Sequence, residues 1–183
     1  HAEHVFVIDP IDGTMNFVKN FNHSCISIGY LHNGVPTAAA VYDPYMDEMF
    51  SAIKGEGAWL NGTPIHAAET PLSENVFSMG TSPYIPENTD ESFRLARIAY
   101  DASLDLRRGA SAELDLAYVA AGRSGLFYEL SLSFWDYAAG MLLVEEAGGK
   151  CTSLDFSPLP LDGRKSSLLA GGRLCYDDFA KLM

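Results

Sequence analysis

Near its start, the chain combines a strand pattern with two aspartates that follow it directly. The apolar, β-branched stretch 5–8 predicts a strand, and Asp9 and Asp12 follow it. Gly13 allows the backbone to approach a ligand closely, and Thr14 precedes a predicted short helix over 15–19. Carboxylates beside a helix start suit a divalent cation bound to a phosphate. The same residue types also form ordinary turns, so the pattern alone leaves that alternative open.

Charge and length exclude several classes of function. The formal net charge of −12 argues against a nucleic-acid partner, because a phosphate backbone demands a basic face. A phosphate substrate would therefore need bound cations to reverse the local sign. The 183 residues, 48% of them hydrophobic, are enough for a substantial core. No stretch approaches the roughly 20 apolar residues of a membrane span, so no membrane partner is expected.

The termini and the cysteines predict the compartment. Because the chain enters a strand within a few residues, we expect no signal peptide. Cys25, Cys151 and Cys175 are odd in number and lack metal-ligand spacing, so we interpret them as buried thiols of a cytoplasmic protein. The opening His1-Ala2-Glu3-His4 contains possible metal ligands, but at a terminus the solvated interpretation is favoured.

The order of predicted elements indicates an α/β or α+β fold with layered sheets. The first half is rich in strands, predicted at 5–8, 24–31, 35–42, 48–53 and 58–60. The second half alternates strands at 76–79, 104–107, 125–130, 150–154 and 167–170 with helices at 89–102, 111–121, 134–147 and 176–182. A polar, proline-bearing connection separates the halves. We therefore predict two domains, 1–70 with the first aspartate motif and 71–183 of α/β type.

A second acidic motif lies far along the chain. Asp136 follows Trp135 and precedes Tyr137-Ala138-Ala139-Gly140, at the start of the predicted helix over 134–147. An aspartate in a first helical turn is favourable with the helix dipole, so a purely structural role is the alternative for Asp136.

Together these motifs carry a resemblance. Residues 9–14 resemble the Asp-Pro-x-Asp-Gly-Thr signature of the inositol monophosphatase family of magnesium-dependent phosphatases, and residues 135–149 resemble its second signature. Residues 107–116 are similar to a third stretch, with Ala110 where the family usually has glycine and Glu113 where it has alanine. Met15 departs from the usual threonine. The resemblance covers nearly the whole chain.

The resemblance implies a layered αβαβα sandwich of the sugar-phosphatase type. Family members carry roughly 70–80 residues before the first signature, including paired helices and a Gly-Glu-Glu motif whose first glutamate is a metal ligand. We therefore expect this chain to lack those N-terminal helices. The full-length protein is expected to be a homodimer.

The resemblance also implies the site. Asp9, Asp12 and Asp136 would bind one Mg²⁺, and Asp9 with the Ile11 carbonyl a second. Thr14 would orient the attacking water, so the expected catalytic residues are Asp9, Asp12, Thr14 and Asp136. The expected substrate-binding residues are Ile11, Asp12, Gly13, Thr14, Ala110, Ser111, Ala112, Glu129 and Asp136.

The implied reaction is magnesium-dependent hydrolysis of a phosphate monoester of inositol or a related polyol or sugar. Asn16-Phe17 matches the inositol phosphatase pattern, and Glu129 would accept hydroxyls of the polyol. Related phosphatases act on 3′-phosphoadenosine nucleotides, histidinol phosphate or fructose bisphosphate, which remain alternatives. A non-catalytic fragment that binds metal or phosphate is the alternative from a different class.

Overall fold

The computed structural model describes residues 2–183 and contains two β-sheets. The first is a six-stranded antiparallel sheet in which each strand pairs with the next along the chain. Asn-Gly pairs at 33–34 and 61–62 close two of its hairpins, because this dipeptide adopts the backbone angles of a tight hairpin turn. Its strands are β1 His4–Asp12, β2 Cys25–His32, β3 Val35–Asp43, β4 Glu48–Ile53, β5 Gly57–Leu60 and β6 Thr63–Pro64.

The second sheet has five strands in the order β10-β11-β9-β7-β8. Strand β7 runs parallel to β8 and β9, and the remaining pairs are antiparallel. Its strands are β7 Val76–Met79, β8 Asp105–Arg107, β9 Leu126–Leu132, β10 Lys150–Thr152 and β11 Ser166–Gly171. The α-helices are α1 Thr14–Val18, α2 Thr89–Asp101, α3 Ala112–Ala120, α4 Gly140–Glu146 and α5 Arg173–Leu182, with 3₁₀ turns at Leu72–Glu74, Pro86–Asn88 and Phe134–Asp136.

Helices α3 and α4 lie between the two sheets, whereas α2 and α5 cover the far face of the second sheet. Because both faces of the second sheet are covered, successive side chains of β9 pack on opposite faces. Phe127 packs against α3 and α4 between the sheets, and Tyr128 packs on the face that α2 and α5 cover. Both side chains are fully buried, and burial of each such side chain contributes roughly 1.5–3 kcal/mol. The layers are sheet, helices, sheet, helices, which confirms the predicted mixed fold class.

Two predicted element boundaries were wrong. The helix predicted over 134–147 is broken, because the Asp136 carboxylate accepts the Ser133 N–H at 2.7 Å and ends a 3₁₀ turn before α4 begins at Gly140. Strand β1 continues through Pro10 to Asp12 instead of ending at Ile8. A proline is tolerated there because β1 lies at the sheet edge and its pairing shifts between Asp9 and Asp12.

The predicted domain boundary falls in the connection between β6 and β7. Helices α3 and α4 nevertheless come from the second half of the chain and pack against strands of the first sheet. The division into 1–70 and 71–183 therefore stays a prediction. Among the helices of residues 2–183, none combines the length and apolar character needed to cross a bilayer.

Candidate active site

The structure brings the three predicted metal-binding aspartates together. Asp9 and Asp12 lie at the end of β1, and Asp136 ends the 3₁₀ turn that follows β9. One carboxylate oxygen from each lies within 4.8 Å of the others. The end of β1, the edge strand of the first sheet, thus meets the 3₁₀ turn that follows β9 of the second sheet. The two segments are far apart in sequence, so no local pattern predicts that they meet.

Asp12 is the most firmly held of the three. It is only 6% exposed, and its Oδ2 accepts the Ser111 hydroxyl at 2.5 Å and the Glu113 backbone N–H at 3.0 Å. The Cys25 thiol lies 3.6 Å from the same oxygen. The first turn of α3 and the start of β2 therefore fix the orientation of this carboxylate.

Asp9 and Asp136 are each held by a backbone N–H. Asp9 Oδ1 accepts from Ile11 at 3.0 Å, and Asp136 Oδ2 accepts from Ser133 at 2.7 Å. Among residues 2–183, the hydrogen bonds of each of the three aspartates engage one carboxylate oxygen only. The second oxygen of each is left for a cation, and an all-oxygen donor set fits a hard divalent ion such as Mg²⁺.

Burial and mutual repulsion make the cluster costly without a cation. Burial raises the pKa of Asp12 to about 6; its hydrogen bonds from Ser111 and Glu113 lower the value, and the charges of Asp9 and Asp136 raise it further. The pKa of Asp9 and that of Asp136 are also raised, chiefly by burial. A bound cation would relieve both effects, since opposite charge favours the ionised carboxylates.

The turn after Asp12 accommodates a close approach. Gly13 has φ 79°, and a Cβ there would lie 3.0 Å from the His23 carbonyl and 3.1 Å from Ser111 Cβ. Thr14 begins α1, and its hydroxyl donates to the Ile11 carbonyl at 2.9 Å. The Thr14 hydroxyl, predicted to orient water, thus contacts the Ile11 carbonyl, predicted to bind the second cation. The carbonyl oxygen keeps a second lone pair.

A cavity of about 530 Å³ opens beside the aspartates. This volume suits a small phosphorylated molecule. The predicted site residues that line it are Asp9, Ile11, Asp12, Gly13, Thr14, Ala110, Ala112, Glu129 and Asp136. Ser111, in contrast, is buried behind Asp12 and is not among the lining residues. Its side chain orients the Asp12 carboxylate, and the prediction that its backbone groups contact a substrate stays a prediction.

Glu129 enters the cavity from β9. Its Oε1 accepts the Ser82 backbone N–H at 2.9 Å and the Ser82 hydroxyl at 3.0 Å. Burial raises the pKa of Glu129 to about 7, against the lowering effect of these hydrogen bonds. A Cβ at residue 80 would overlap Glu129 Oε2, so Gly80 makes room for this side chain.

Ala110 adopts a conformation that favours glycine. Its φ is 60°, in the left-handed region, which costs a residue with a Cβ on the order of 1 kcal/mol or more. Asn16 of α1 ties this turn down by donating to the Gly109 carbonyl at 2.7 Å and to the Ala110 carbonyl at 3.3 Å. The resemblance had marked Ala110 as a departure from glycine, and the backbone angle explains why glycine suits that position.

Sequence reasoning missed the structural role of Glu113. This side chain is fully buried, and its two oxygens accept the N–H groups of Ala139 at 3.2 Å and Gly140 at 2.6 Å. Its backbone N–H also holds Asp12. Glu113 thus joins the aspartate on β1 to the segment that follows Asp136. An acidic residue in an otherwise apolar helical stretch was the available signal.

Two cationic side chains at the cavity were also missed. Arg108 lines it and donates to the Thr81 hydroxyl at 2.9 Å. Lys165 lines it as well, and its charge lowers the pKa of Asp136. Lys165 lies between the strands predicted at 150–154 and 167–170, where no local signal could place it at the cavity. Both charges favour an anionic ligand near the acidic cluster.

The chain is similar to known proteins both in sequence and in structure. The sequence model of the inositol monophosphatase family matches residues 1–182. A relative from Xylella fastidiosa named Nus factor SuhB is 42% identical over 146 residues, which cover 79% of this chain and 53% of the relative. The chain thus spans about half the length of that relative, and the activity, substrates and partners of the whole protein are matters for proposal.

Two solved structures share the fold. Inositol monophosphatase from Anabaena (Nostoc) sp. PCC 7120 superposes with a TM-score of 0.90 at 37% identity, over 99% of this chain and 71% of that one. An IMPase/NADP phosphatase complexed with Mg²⁺ and phosphate gives a TM-score of 0.87 at 27% identity, over 100% of this chain and 67% of that one. They confirm the predicted fold and, with the match over residues 1–182, establish that the chain belongs to the inositol monophosphatase family.

Proposed function

We propose that this chain carries the metal- and phosphate-binding core of a phosphatase that hydrolyses phosphate monoesters of inositol or a related polyol or sugar. The observation that carries the proposal is the convergence of Asp9, Asp12 and Asp136 beside a cavity of about 530 Å³. Family membership supports a phosphatase, and a structural neighbour complexed with Mg²⁺ and phosphate supports that cation.

In this proposal Asp9, Asp12 and Asp136 hold one Mg²⁺, and Asp9 with the Ile11 carbonyl contributes to a second position. Bound Mg²⁺ supplies charge stabilisation at the phosphoryl group and lowers the pKa of a coordinated water. Ser111 and Glu113 keep Asp12 oriented for this role through their hydrogen bonds. The backbone N–H groups of Gly13 and Thr14 are proposed to donate hydrogen bonds to phosphate oxygens.

Two protein ligands hold Mg²⁺ only weakly, because this ion gives up its water reluctantly. The second position would have only Asp9 and Ile11 from the described residues, and the Ile11 carbonyl already accepts the Thr14 hydroxyl. We therefore propose that the described residues bind one Mg²⁺ well and a second poorly. The alternative from a different class is a non-catalytic chain that binds metal or phosphate without hydrolysing the ester.

For the substrate, Glu129 is the proposed acceptor of polyol hydroxyls. Its carboxyl lines the cavity beyond the aspartates, while Arg108 and Lys165 line it with positive charge. The variant Glu129→Gln should lower activity on inositol monophosphate more than on a small aryl phosphate, which has no hydroxyl to bond. Equal losses on both substrates would assign Glu129 a structural role.

The proposal is tested by measuring phosphate release from the chain with Mg²⁺ and with a chelator. The substrates are inositol monophosphate, a sugar monophosphate, a 3′-phosphoadenosine nucleotide, histidinol phosphate and fructose bisphosphate. We expect magnesium-dependent release that is fastest on the polyol or sugar monoester, and its loss in Asp136→Asn but not in the exposed control Asp90→Asn. Release that is unaffected by the chelator or by Asp136→Asn would refute the proposal.

We further propose that the protein is cytoplasmic and that its full-length form is a homodimer. Cys25, Cys151 and Cys175 are free thiols in the structure, which fits a reducing compartment. Sedimentation of a full-length relative and of this chain would test the oligomeric state. A monomeric full-length protein would contradict the second part.

A further inference from the structure

Two histidines face each other on the first sheet, far from the aspartates. His4 on β1 pairs directly with His32 on β2, and their rings stack with centroids 5.0 Å apart and planes 9° from parallel. Both side chains are largely solvent-exposed. The sequence showed Glu3 and His4 as neighbours, but the register of two strands was needed to bring His32 beside them.

Glu3 completes this cluster. Its Oε1 lies 3.7 Å from His4 Nε2 and 3.4 Å from His32 Nε2, and the three ligand atoms all lie within 4.8 Å of one another. Around a tetrahedral Zn²⁺, with bonds of roughly 2.0–2.2 Å, neighbouring ligand atoms are about 3.4 Å apart. The two imidazole rings would have to rotate from their stacked arrangement for both Nε2 atoms to point at one ion, and their exposure on the surface leaves them free to do so.

Neighbouring polar groups prepare the histidines for a cation. His4 Nδ1 is hydrogen-bonded to the Tyr30 hydroxyl at 2.7 Å, which leaves Nε2 to face Glu3. Such a partner on the other ring nitrogen orients a metal-bound histidine and fixes its tautomer. The Asn33 amide lies 3.2 Å from His32 Nε2 and would be displaced on binding.

We propose that Glu3, His4 and His32 form a binding site for a divalent cation of the Zn²⁺ class, with a fourth position open to water. Two imidazole nitrogens and one carboxylate favour Zn²⁺ over Mg²⁺, which prefers oxygen ligands. The site is distinct from the aspartate cluster, because β1 places His4 and Asp12 at opposite ends, roughly 25 Å apart at 3.3 Å per residue. A cation there joins β1 to β2 at the end remote from the aspartates.

The test is a calorimetric titration of the chain with Zn²⁺ in excess Mg²⁺, which occupies the aspartate cluster. We expect one Zn²⁺ per chain, with affinity at least about tenfold weaker in His4→Asn and in His32→Asn. The matched control His66→Asn removes another exposed histidine and should leave Zn²⁺ affinity unchanged. Tyr30→Phe should weaken binding by a smaller factor.

Two further measurements separate this site from the proposed catalytic one. Asp12→Asn should keep its Zn²⁺ binding in excess Mg²⁺, and Co²⁺ should give the visible absorption of a nitrogen-ligated tetrahedral ion that is absent in His32→Asn. His4→Asn should keep the phosphatase activity of the parent chain. Absence of Zn²⁺ binding in excess Mg²⁺, or equal affinity in the His4, His32 and His66 variants, would overturn the proposal.

Discussion

The aspartate cluster and the outer face of the first sheet differ in how the rest of the molecule supports them. Asp12 is buried and held by the first turn of α3, which itself lies between the two sheets. On the outer face, Phe6 is 65% exposed and Ile8 52% exposed. They are paired with Tyr30 and Ile28, so the exposed apolar side chains form one continuous stripe. Asp12 is thus held by interior elements, whereas the apolar stripe lies on the solvent-exposed face of the sheet.

The largest effect should come from Asp12→Asn. Loss of this charge removes the central carboxylate of the cluster, so we expect Mg²⁺ affinity to fall by an order of magnitude or more and hydrolysis to fall with it. Calorimetry with Mg²⁺ and a phosphate-release assay measure the two effects. Asp90→Asn, at an exposed position of α2, is the matched control. Unchanged Mg²⁺ affinity would remove Asp12 from the metal site.

The support through α3 is tested at Glu113. Glu113→Ala removes both acceptors of the Ala139 and Gly140 N–H groups, and Glu113→Gln retains one. We expect Mg²⁺ affinity to fall by about tenfold in the alanine variant and by less in the glutamine variant, because the segment after Asp136 loses its side-chain link to α3, although the backbone N–H of residue 113 still donates to Asp12. Calorimetry measures the Mg²⁺ affinity of each variant, provided that its far-ultraviolet circular dichroism matches that of the parent chain. Wild-type affinity in both would mean that Glu113 only stabilises the core.

The buried cluster should also make the metal-free protein sensitive to pH. Because the pKa of Asp12 is raised to about 6 in the folded state, its contribution to stability is complete below its unfolded pKa near 4 and is lost as pH rises through 6. We expect the free energy of unfolding to fall by about 2–3 kcal/mol over that window. Denaturant unfolding with a chelator measures this change.

Two controls accompany the pH measurement. Asp12→Asn should lack this fall, because the amide does not titrate. Saturating Mg²⁺ should abolish the fall between pH 4 and pH 6, since the cation favours the ionised carboxylates. A metal-free protein whose stability rises between pH 4 and pH 6 in an Asp12-dependent way would contradict the assigned direction.

The outer face should govern association. With its apolar stripe uncovered, the chain is expected to self-associate, and the double variant Phe6→Ser with Ile8→Thr should reduce this while leaving Mg²⁺ affinity unchanged. Sedimentation velocity over a concentration series measures the association. A monomeric parent chain would contradict a role of the outer face in association. Loss of Mg²⁺ binding in the double variant would show that the aspartate cluster depends on that face.

The smallest expected effect is at Ala110. Its φ of 60° favours glycine, so Ala110→Gly should raise the free energy of unfolding by up to about 1 kcal/mol. Thermal unfolding compares it with Ala102→Gly, at the C-cap of α2 where φ is −109°, which should gain nothing. A destabilised Ala110→Gly variant would show that the turn bears no strain.

Local patterns predicted most of the elements and singled out Asp9 and Asp12 as candidate metal ligands. The alternation of β2 and β3 and the Asn-Gly turn at 33–34 are local signals, so that hairpin could be predicted from the sequence. The break between Asp136 and α4 could not, because it depends on a capping hydrogen bond that competes with helix formation. The convergence of Asp136 with Asp12 came from the family resemblance, since sheet packing is non-local.

Other parts of the site had no local signal at all. The hydrogen bonds of Glu113 depend on the packing of α3 against α4, and the approach of Lys165 depends on a loop between β10 and β11. The pairing of His4 with His32 requires the register of β1 and β2. A sequence lists such residues without fixing their distances.

A crystal structure of the chain soaked with Mn²⁺, as a Mg²⁺ surrogate with anomalous scattering, tests the central claim most directly. We expect an anomalous peak for an ion bound by one carboxylate oxygen from each of Asp9, Asp12 and Asp136, at roughly 2.0–2.3 Å. We also expect a much weaker second peak between Asp9 and the Ile11 carbonyl. A cation that contacts fewer than three of these aspartates, or no peak in this cavity, would contradict the proposed metal site.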